Sequence, residues 1–222
     1  MKKEKKEYKV TQLKESSNGR YYLLFLDKKN VGTFLKSTIR KFALEVGDTI
    51  TEEELTKIIE ADQVKRLQDY SLRLLSRRDY SENEFKEKLL KKGYPPSVVE
   101  QVIASLKELD YLSDKNFVKN YVAHSLSFRK RGKMAIKQEL LKKGVDEKAI
   151  DDYLAEVSEE IPAKELVAKY LPKIKKQFEK KAEKNKPVGS QKVYIKSKLK
   201  ELLLRRGFTQ RTIEKVLAEV NS

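Results

Sequence analysis

The side chains with the most chemistry to offer in this chain are cations, and they come in clusters. Arg77-Arg78, Lys91-Lys92, Arg129-Lys130-Arg131 with Lys133, Lys142-Lys143 and Arg205-Arg206 recur at turns or helix ends. Paired ammonium and guanidinium groups suit phosphate oxygens, through charge and, for arginine, through bidentate hydrogen bonds. The 50 basic residues outnumber the 34 acidic ones, for a net charge of +16. A polyanionic partner would be drawn to such a chain. A second reading stands beside this one: cations in the last turn of a helix complement its dipole with no partner at all. Lys91-Lys92, Lys142-Lys143 and Arg205-Arg206 fit either reading. The run from Arg129 to Lys133 falls between helices, so the dipole explains it less well. Lys173 to Lys200 holds 11 lysines against two glutamates, the steepest charge bias in the chain.

Other chemistry is thinly provided. His124 is the only histidine and cysteine is absent, so histidine clusters, thiolate metal sites and disulfides are ruled out. No GxxxxGK[ST] phosphate loop or GxGxxG turn occurs. The carboxylate groups Glu52-Glu53-Glu54 and Asp151-Asp152 stand where helices begin, and there they complement dipoles. The expectation is a non-catalytic protein with no catalytic, cofactor-binding or metal-binding residues. The opening Met1-Lys2-Lys3-Glu4-Lys5-Lys6 leads into no apolar stretch, and no run approaches the ~18 apolar residues of a membrane span. A cytoplasmic monomer without membrane contact is expected.

The elements that position the cations follow from an internal repeat. Leu89-Leu90-Lys91-Lys92-Gly93 returns as Leu140-Leu141-Lys142-Lys143-Gly144 and as Leu203-Leu204-Arg205-Arg206-Gly207. Phe85, Ile136 and Leu199 stand eight residues before each glycine, and Tyr94, Val145 and Phe208 directly after it. Further apolar residues follow at +6 (Val99, Ile150, Ile213), +10 (Ile103, Leu154, Leu217) and +13 (Leu106, Val157, Val220). Apolar residues at −8, −4 and −3 make one helical stripe, and those at +6, +10 and +13 make a second. The glycine between them suits a left-handed residue just past a helix end. Asp146, Thr209 and Pro96 are starting residues for the next helix. Each unit thus ends in a helix-turn-helix pair that needs a first helix to cover it.

Those first helices are expected at Leu67 to Arg77, with Leu72, Leu74 and Leu75 packing, and from Asp114, which would cap a helix bearing Phe117 and Tyr121. A third is expected from Pro162, with Pro172 kinking or interrupting it. Ser81 and Glu84 make a capping box for the second helix of the first unit. Tyr80, Tyr121 and Phe128 interleave with the cations. They could stack on bases, but the spacing of Tyr121 and Phe128 favours packing. Before the repeats, β-favouring runs at Tyr8–Leu13, Arg20–Leu26 and Val31–Leu35 read as hairpins, followed by a short helix capped by Ser37 and a capping box at Thr51 to Glu54. The fold class is mainly α: three tandem three-helix repeats in an elongated curved array, with a small β-rich N-terminal extension. The parts are 1–60, 61–113, 114–160 and 161–222, the last with a basic insertion at 173–189.

The residues from Leu67 to Val157 resemble the RecX family, regulators of the bacterial recombinase RecA. The resemblance is carried by Leu72-Arg73-Leu74-Leu75-Ser76-Arg77-Arg78-Asp79-Tyr80-Ser81, then Glu84-Phe85, Lys88-Leu89 and Gly93-Tyr94. Leu109-Asp110-Tyr111-Leu112-Ser113-Asp114, Phe117, Tyr121, Arg131-Gly132, Ile136-Lys137-Gln138-Glu139-Leu140 and Gly144-Val145 continue it in order. The chain departs from the pattern near Ala123 and His124, where the family carries arginines, and at Lys133-Met134-Ala135. The resemblance implies binding to RecA–single-stranded DNA filaments and inhibition of strand exchange and ATP turnover, by occupying the groove or capping the end. The basic clusters are the candidate contacts to RecA or to DNA phosphates, and the sequence leaves open which of the two they meet. A stand-alone helix-turn-helix nucleic-acid binder is the alternative.

Overall fold

Short β-favouring runs, then long stretches of helical period, give the order β1(Glu7–Glu15), β2(Tyr21–Leu26), β3(Lys29–Leu35), α1(Lys36–Lys41), β4(Thr49–Thr51), α2(Glu52–Leu75), α3(Glu82–Leu90), α4(Pro96–Glu108), α5(Asp114–Ser127), α6(Lys133–Leu141), α7(Glu147–Glu156), α8(Glu160–Ala182), α9(Gln191–Arg205) and α10(Gln210–Glu219). This computed structural model describes residues 6–182 and 190–220. The expected basic insertion therefore lies partly outside the described residues, at 183–189. Two compact units form, one reaching to Tyr80 and including Phe85–Leu112, the other joining Ser81–Glu84 to the chain from Ser113 onward.

In the first unit an antiparallel sheet has the order β3-β2-β1-β4. Asp27 and Lys28, both at positive φ, make the two-residue turn between β2 and β3. The three expected runs are strands, and β4, too short to show a period, adds a fourth against β1. The short helix α1 carries no side-chain cap, contrary to the role expected of Ser37. The Thr51 capping box is present, with Thr51 Oγ1 accepting from the Glu54 N–H and Glu54 returning the bond. It opens a single helix, α2, that runs unbroken through residues 60 and 61, because no Gly or Pro intervenes. Buried Asp62 ties this helix to the sheet: it accepts the Leu35 N–H at 2.7 Å and the Arg66 Nε–H at 2.5 Å.

The glycine-centred pattern forms as its chemistry requires. Gly93, Gly144 and Gly207 lie at φ +82, +74 and +80, the left-handed conformation in which a Cβ is strained. The residues at −8 and −4 are fully buried in every repeat, at 0% exposure. Burial of each such side chain contributes about 2 kcal/mol. The −3 leucines differ: Leu90 and Leu204 are exposed and Leu141 is half-buried. One residue turns a helix by 100°, which carries −3 to the edge of the apolar stripe. Leu72 is exposed for the same geometric reason, while Leu74 and Leu75 pack against the first core. Pro172 sits inside α8 without ending it. Ser113, not Asp114, caps α5, its hydroxyl accepting the Asn116 N–H. Asp146 and Thr209 cap α7 and α10 as expected.

The second unit contains a joint that the periodicity does not announce. Glu159 is 2% exposed, and its carboxylate accepts the Lys133 N–H at the start of α6 (2.6 Å). It also accepts the N–H (2.7 Å) and hydroxyl (2.5 Å) of Thr209 at the start of α10. Gly132 N–H and Met134 N–H donate to the carbonyls of Arg206 and Gly207, both at 2.9 Å. A Cβ on Gly132 would collide with the backbone of Gly207 and Phe208, and one on Gly207 with Ala135. The first turn of α3 is held by a matching set. Glu82 N–H donates to Asp114 Oδ1 at 2.8 Å, Ser81 Oγ donates to the Lys143 carbonyl at 2.6 Å, and Gly144 faces Asn83. Glu82 and Lys133 stand eleven residues before their glycines, so one bond recurs with aspartate in one case and glutamate in the other.

These contacts rank the glycines. Gly93→Ala meets open space, so only backbone strain of ~1–2 kcal/mol is expected. Gly207→Ala adds a collision with Ala135 and should lose at least ~2 kcal/mol more. Urea denaturation of the two variants checks this, and equal losses would contradict the joint.

Candidate functional site

The basic residues flanking each turn glycine divide by position. Two residues before the glycine, Lys91, Lys142 and Arg205 are exposed and form no ion pair among the described residues. One residue before it, the cation folds back on the protein. Lys92 Nζ lies 4.8 Å from the Tyr70 ring centroid. Lys143 pairs with Glu84 at 3.3 Å and reaches the rings of Phe117 and Tyr121. Arg206 donates to the Arg129 carbonyl at 3.1 Å. Tyr70 and Tyr121 each precede their glycine by 23 residues, so the lysine–tyrosine contact repeats. The helix ends just before these turns, and a cation there gains about 0.3–1 kcal/mol from the dipole. In the second and third pairs the inner cation is half-buried and the outer one is exposed, whereas Lys92 stays exposed beside Tyr70.

The run from Arg129 to Lys133 is the cluster the dipole explained least, and internal partners take up most of it. Arg129 donates to both carboxylate oxygens of Glu139 on α6, at 3.0 and 3.3 Å, and to Tyr121 Oη at 3.2 Å. Arg131 Nε stands 3.4 Å from the same glutamate. Lys130, at φ +49, pairs with Glu165. Lys133 gives its backbone N–H to Glu159. This turn is therefore built as a cross-tie, and the structure brings Arg129, Lys130, Arg131 and Arg206 together around it. Arg77 is exposed and forms no ion pair among the described residues, whereas Arg78 stacks 3.7 Å from the Tyr80 ring centroid.

The aromatic residues also sort themselves. Tyr80 is buried and packs edge-on against Phe85. Tyr121 is half-buried, with its hydroxyl donating to Glu139 at 2.7 Å. Burial, and then that bond, raise its pKa above the ordinary tyrosine value of 10.0, while Arg129 opposes the shift. The Arg129 pKa is raised as well, chiefly by its bond to Tyr121. Phe128 does not pack as its spacing suggested. It is 79% exposed and lies 5.3 Å from the His124 ring, because α5 ends beneath it. Sequence reasoning also missed Glu139 and Glu159, the carboxylates that organise this region. Among the described residues no group of three or more His, Cys, Asp or Glu is placed to hold a metal ion. No described helix is long and apolar enough to cross a membrane.

Comparison with known proteins places these helices in context. Family models for the RecX first and second three-helix domains match residues 69–106 and 113–154. Regulatory protein RecX of Listeria innocua is 25% identical over 215 residues, covering 96% of this chain and 76% of that protein. Regulatory protein RecX of Clostridioides difficile is 29% identical over 194 residues, covering 87% of this chain and 86% of that protein. A crystal structure of regulatory protein RecX superimposes with a TM-score of 0.69 at 24% identity, covering 94% of this chain and 98% of the other. RecX from Lactobacillus salivarius gives 0.61 at 24% identity, over 72% of this chain and 97% of the other. At that identity the two structures establish the fold.

The Tyr121 environment has a pH signature. Its raised pKa contributes stability that is fully present below the ordinary value of 10.0 and is lost as pH rises through the folded-state value. Carbon NMR of labelled tyrosine, assigned with Tyr121→Phe, should show Tyr121 ionising above a free tyrosine. Ionisation at or below the ordinary value would contradict the bond to Glu139.

Proposed function

This chain belongs to the RecX family of regulatory proteins, which are not enzymes, and from that premise we propose that it acts on the recombinase RecA. It binds RecA–single-stranded DNA filaments and restrains strand exchange and ATP turnover, by occupying the filament groove or capping its growing end. The observation that carries the contact surface is the exposed cation two residues before each turn glycine, without an ion pair among the described residues: Lys91, Lys142 and Arg205. A net charge of +16 supplies the attraction toward a nucleoprotein. Cations repeated once per helical unit gain by multivalency, since each further contact is intramolecular once the first is made. Arg77 extends the exposed set. Lys143, Arg206, Arg129, Lys130 and Arg131 hold their own turns through Glu84, the Arg129 carbonyl, Glu139 and Glu165. The exposed Arg78 and Lys92 lie over the rings of Tyr80 and Tyr70.

The alternative of a stand-alone duplex reader finds no support in α4 and α7, the second helices of the first two pairs. A major-groove helix presents cations and amides to base edges. The exposed side chains of α7 include Glu147, Asp151, Asp152 and Glu156 against Lys148, and that surface would repel a phosphate-lined groove. On α4, Glu100 and Glu108 outnumber Lys107.

A titration of RecA ATP hydrolysis on single-stranded DNA tests the reading. Wild-type protein should suppress turnover at near-stoichiometric amounts. Replacing Lys91, Lys142 and Arg205 together by Glu should weaken inhibition about tenfold or more. The unfolding midpoint should fall only by the small loss of dipole stabilisation, about 0.3–1 kcal/mol per helix end. Reversal of Arg129 and Arg131 should lower both, because those residues hold Glu139. Full activity of the triple variant would remove the assigned surface, and no inhibition at saturating wild type would remove the function.

A further inference from the structure

The third helical repeat carries a groove of about 390 Å³ between α8, α9 and α10, separate from the turns discussed above. That volume lies near the small end of the ~300–1,000 Å³ range of ligand sites. Its floor is aliphatic, with Val167 and Leu171 from α8, Ile195 from α9 and Val216 from α10. Its rim is basic. Lys175, Lys192 and Lys196 border it and form no ion pair among the described residues, whereas Lys164 is matched by Glu219 at 2.7 Å. An apolar floor inside a ring of uncompensated cations calls for an occupant that is apolar on one side and anionic on the other.

The number of cations narrows the choice. Three separate lysines without an ion pair among the described residues call for several carboxylates, which an acidic peptide carries and a fatty acid does not. A nucleic acid fits less well, because bases stack on aromatic rings or arginines and the floor offers only aliphatic side chains. We propose that this groove is a docking site for a partner's acidic, leucine-rich peptide segment, its aliphatic side chains on Val167, Leu171 and Ile195 and its carboxylates on the three lysines. The proposal does not rest on the recombinase reading.

The test uses the full chain and a fluorescein-labelled peptide of repeated Leu-Glu-Asp-Leu units, read by fluorescence anisotropy. Saturable binding is expected, weakened about tenfold or more by joint Lys175→Glu, Lys192→Glu and Lys196→Glu changes. The same charge change at Lys91, Lys92 and Lys142 should leave the affinity within about twofold. Ala168→Trp, which fills the groove, should abolish binding, and if it disturbs the fold by circular dichroism the lysine variants decide. The proposal is overturned by an absence of saturable binding or by equal losses in the two lysine triplets. Displacement of the peptide by decanoate or oligothymidylate at matching concentration would likewise reject a peptide site. Tighter binding after glycine replaces Pro187 and Val188 would make the chain itself the occupant, and the proposal would fail.

Discussion

Two helices in the second unit begin at one buried carboxylate. The starts of α6 and α10 each expose N–H groups with no partner inside their own helix, and each carries the positive end of a dipole. Glu159 meets both, accepting from Lys133, Thr209 N–H and Thr209 Oγ1. A carboxylate taken from water into protein costs several kcal/mol unless charge and hydrogen bonds compensate it, and here the two helix ends do so. The geometry leaves no room for a side chain at Gly132 or Gly207. Turn, glycine and carboxylate thus constrain one another.

This constraint accounts for the division among the cations. The carbonyls of Lys143 and Arg206 are used by Ser81 and Gly132, which places those residues against the protein. Their side chains then find local partners, Glu84 for Lys143 and the Arg129 carbonyl for Arg206. The residue one step earlier turns outward by helical geometry and stays in water. In Lys142-Lys143 and Arg205-Arg206, a basic pair that looks uniform in the sequence is therefore one structural cation and one available cation. The distinction matters for charge-dependent binding, since a cation already matched by a carboxylate has less charge to offer a phosphate.

Local features were legible from sequence for local reasons. A glycine at positive φ, an N-cap at Asp146 or Thr209 and a stripe of helical period each depend on residues within a few positions. The RecX pattern in Leu72 to Val145 was legible because its motifs keep their order. What escaped depends on distance along the chain. Glu159 and Thr209 are 50 residues apart, and Tyr121 and Glu139 are 18 apart. No spacing rule joins either pair. The strand β4 has only three residues, too few for a period. Thr51 and the packing residues from Leu67 onward read as two helices because the capping box lies far from them, yet nothing between them breaks α2. Phe128 has core spacing relative to Tyr121, but the helix ends there and leaves it exposed.

The joint at Glu159 is the element on which the arrangement of the second unit depends, and native-state hydrogen exchange measures it directly. The amides of Gly132, Lys133, Met134 and Thr209 should exchange as slowly as core amides of α6 and α10. In Glu159→Ala they should lose that protection together, as one cooperative unit. Fast exchange at these four amides in the wild-type protein, with the cores of α6 and α10 still protected, would contradict the account.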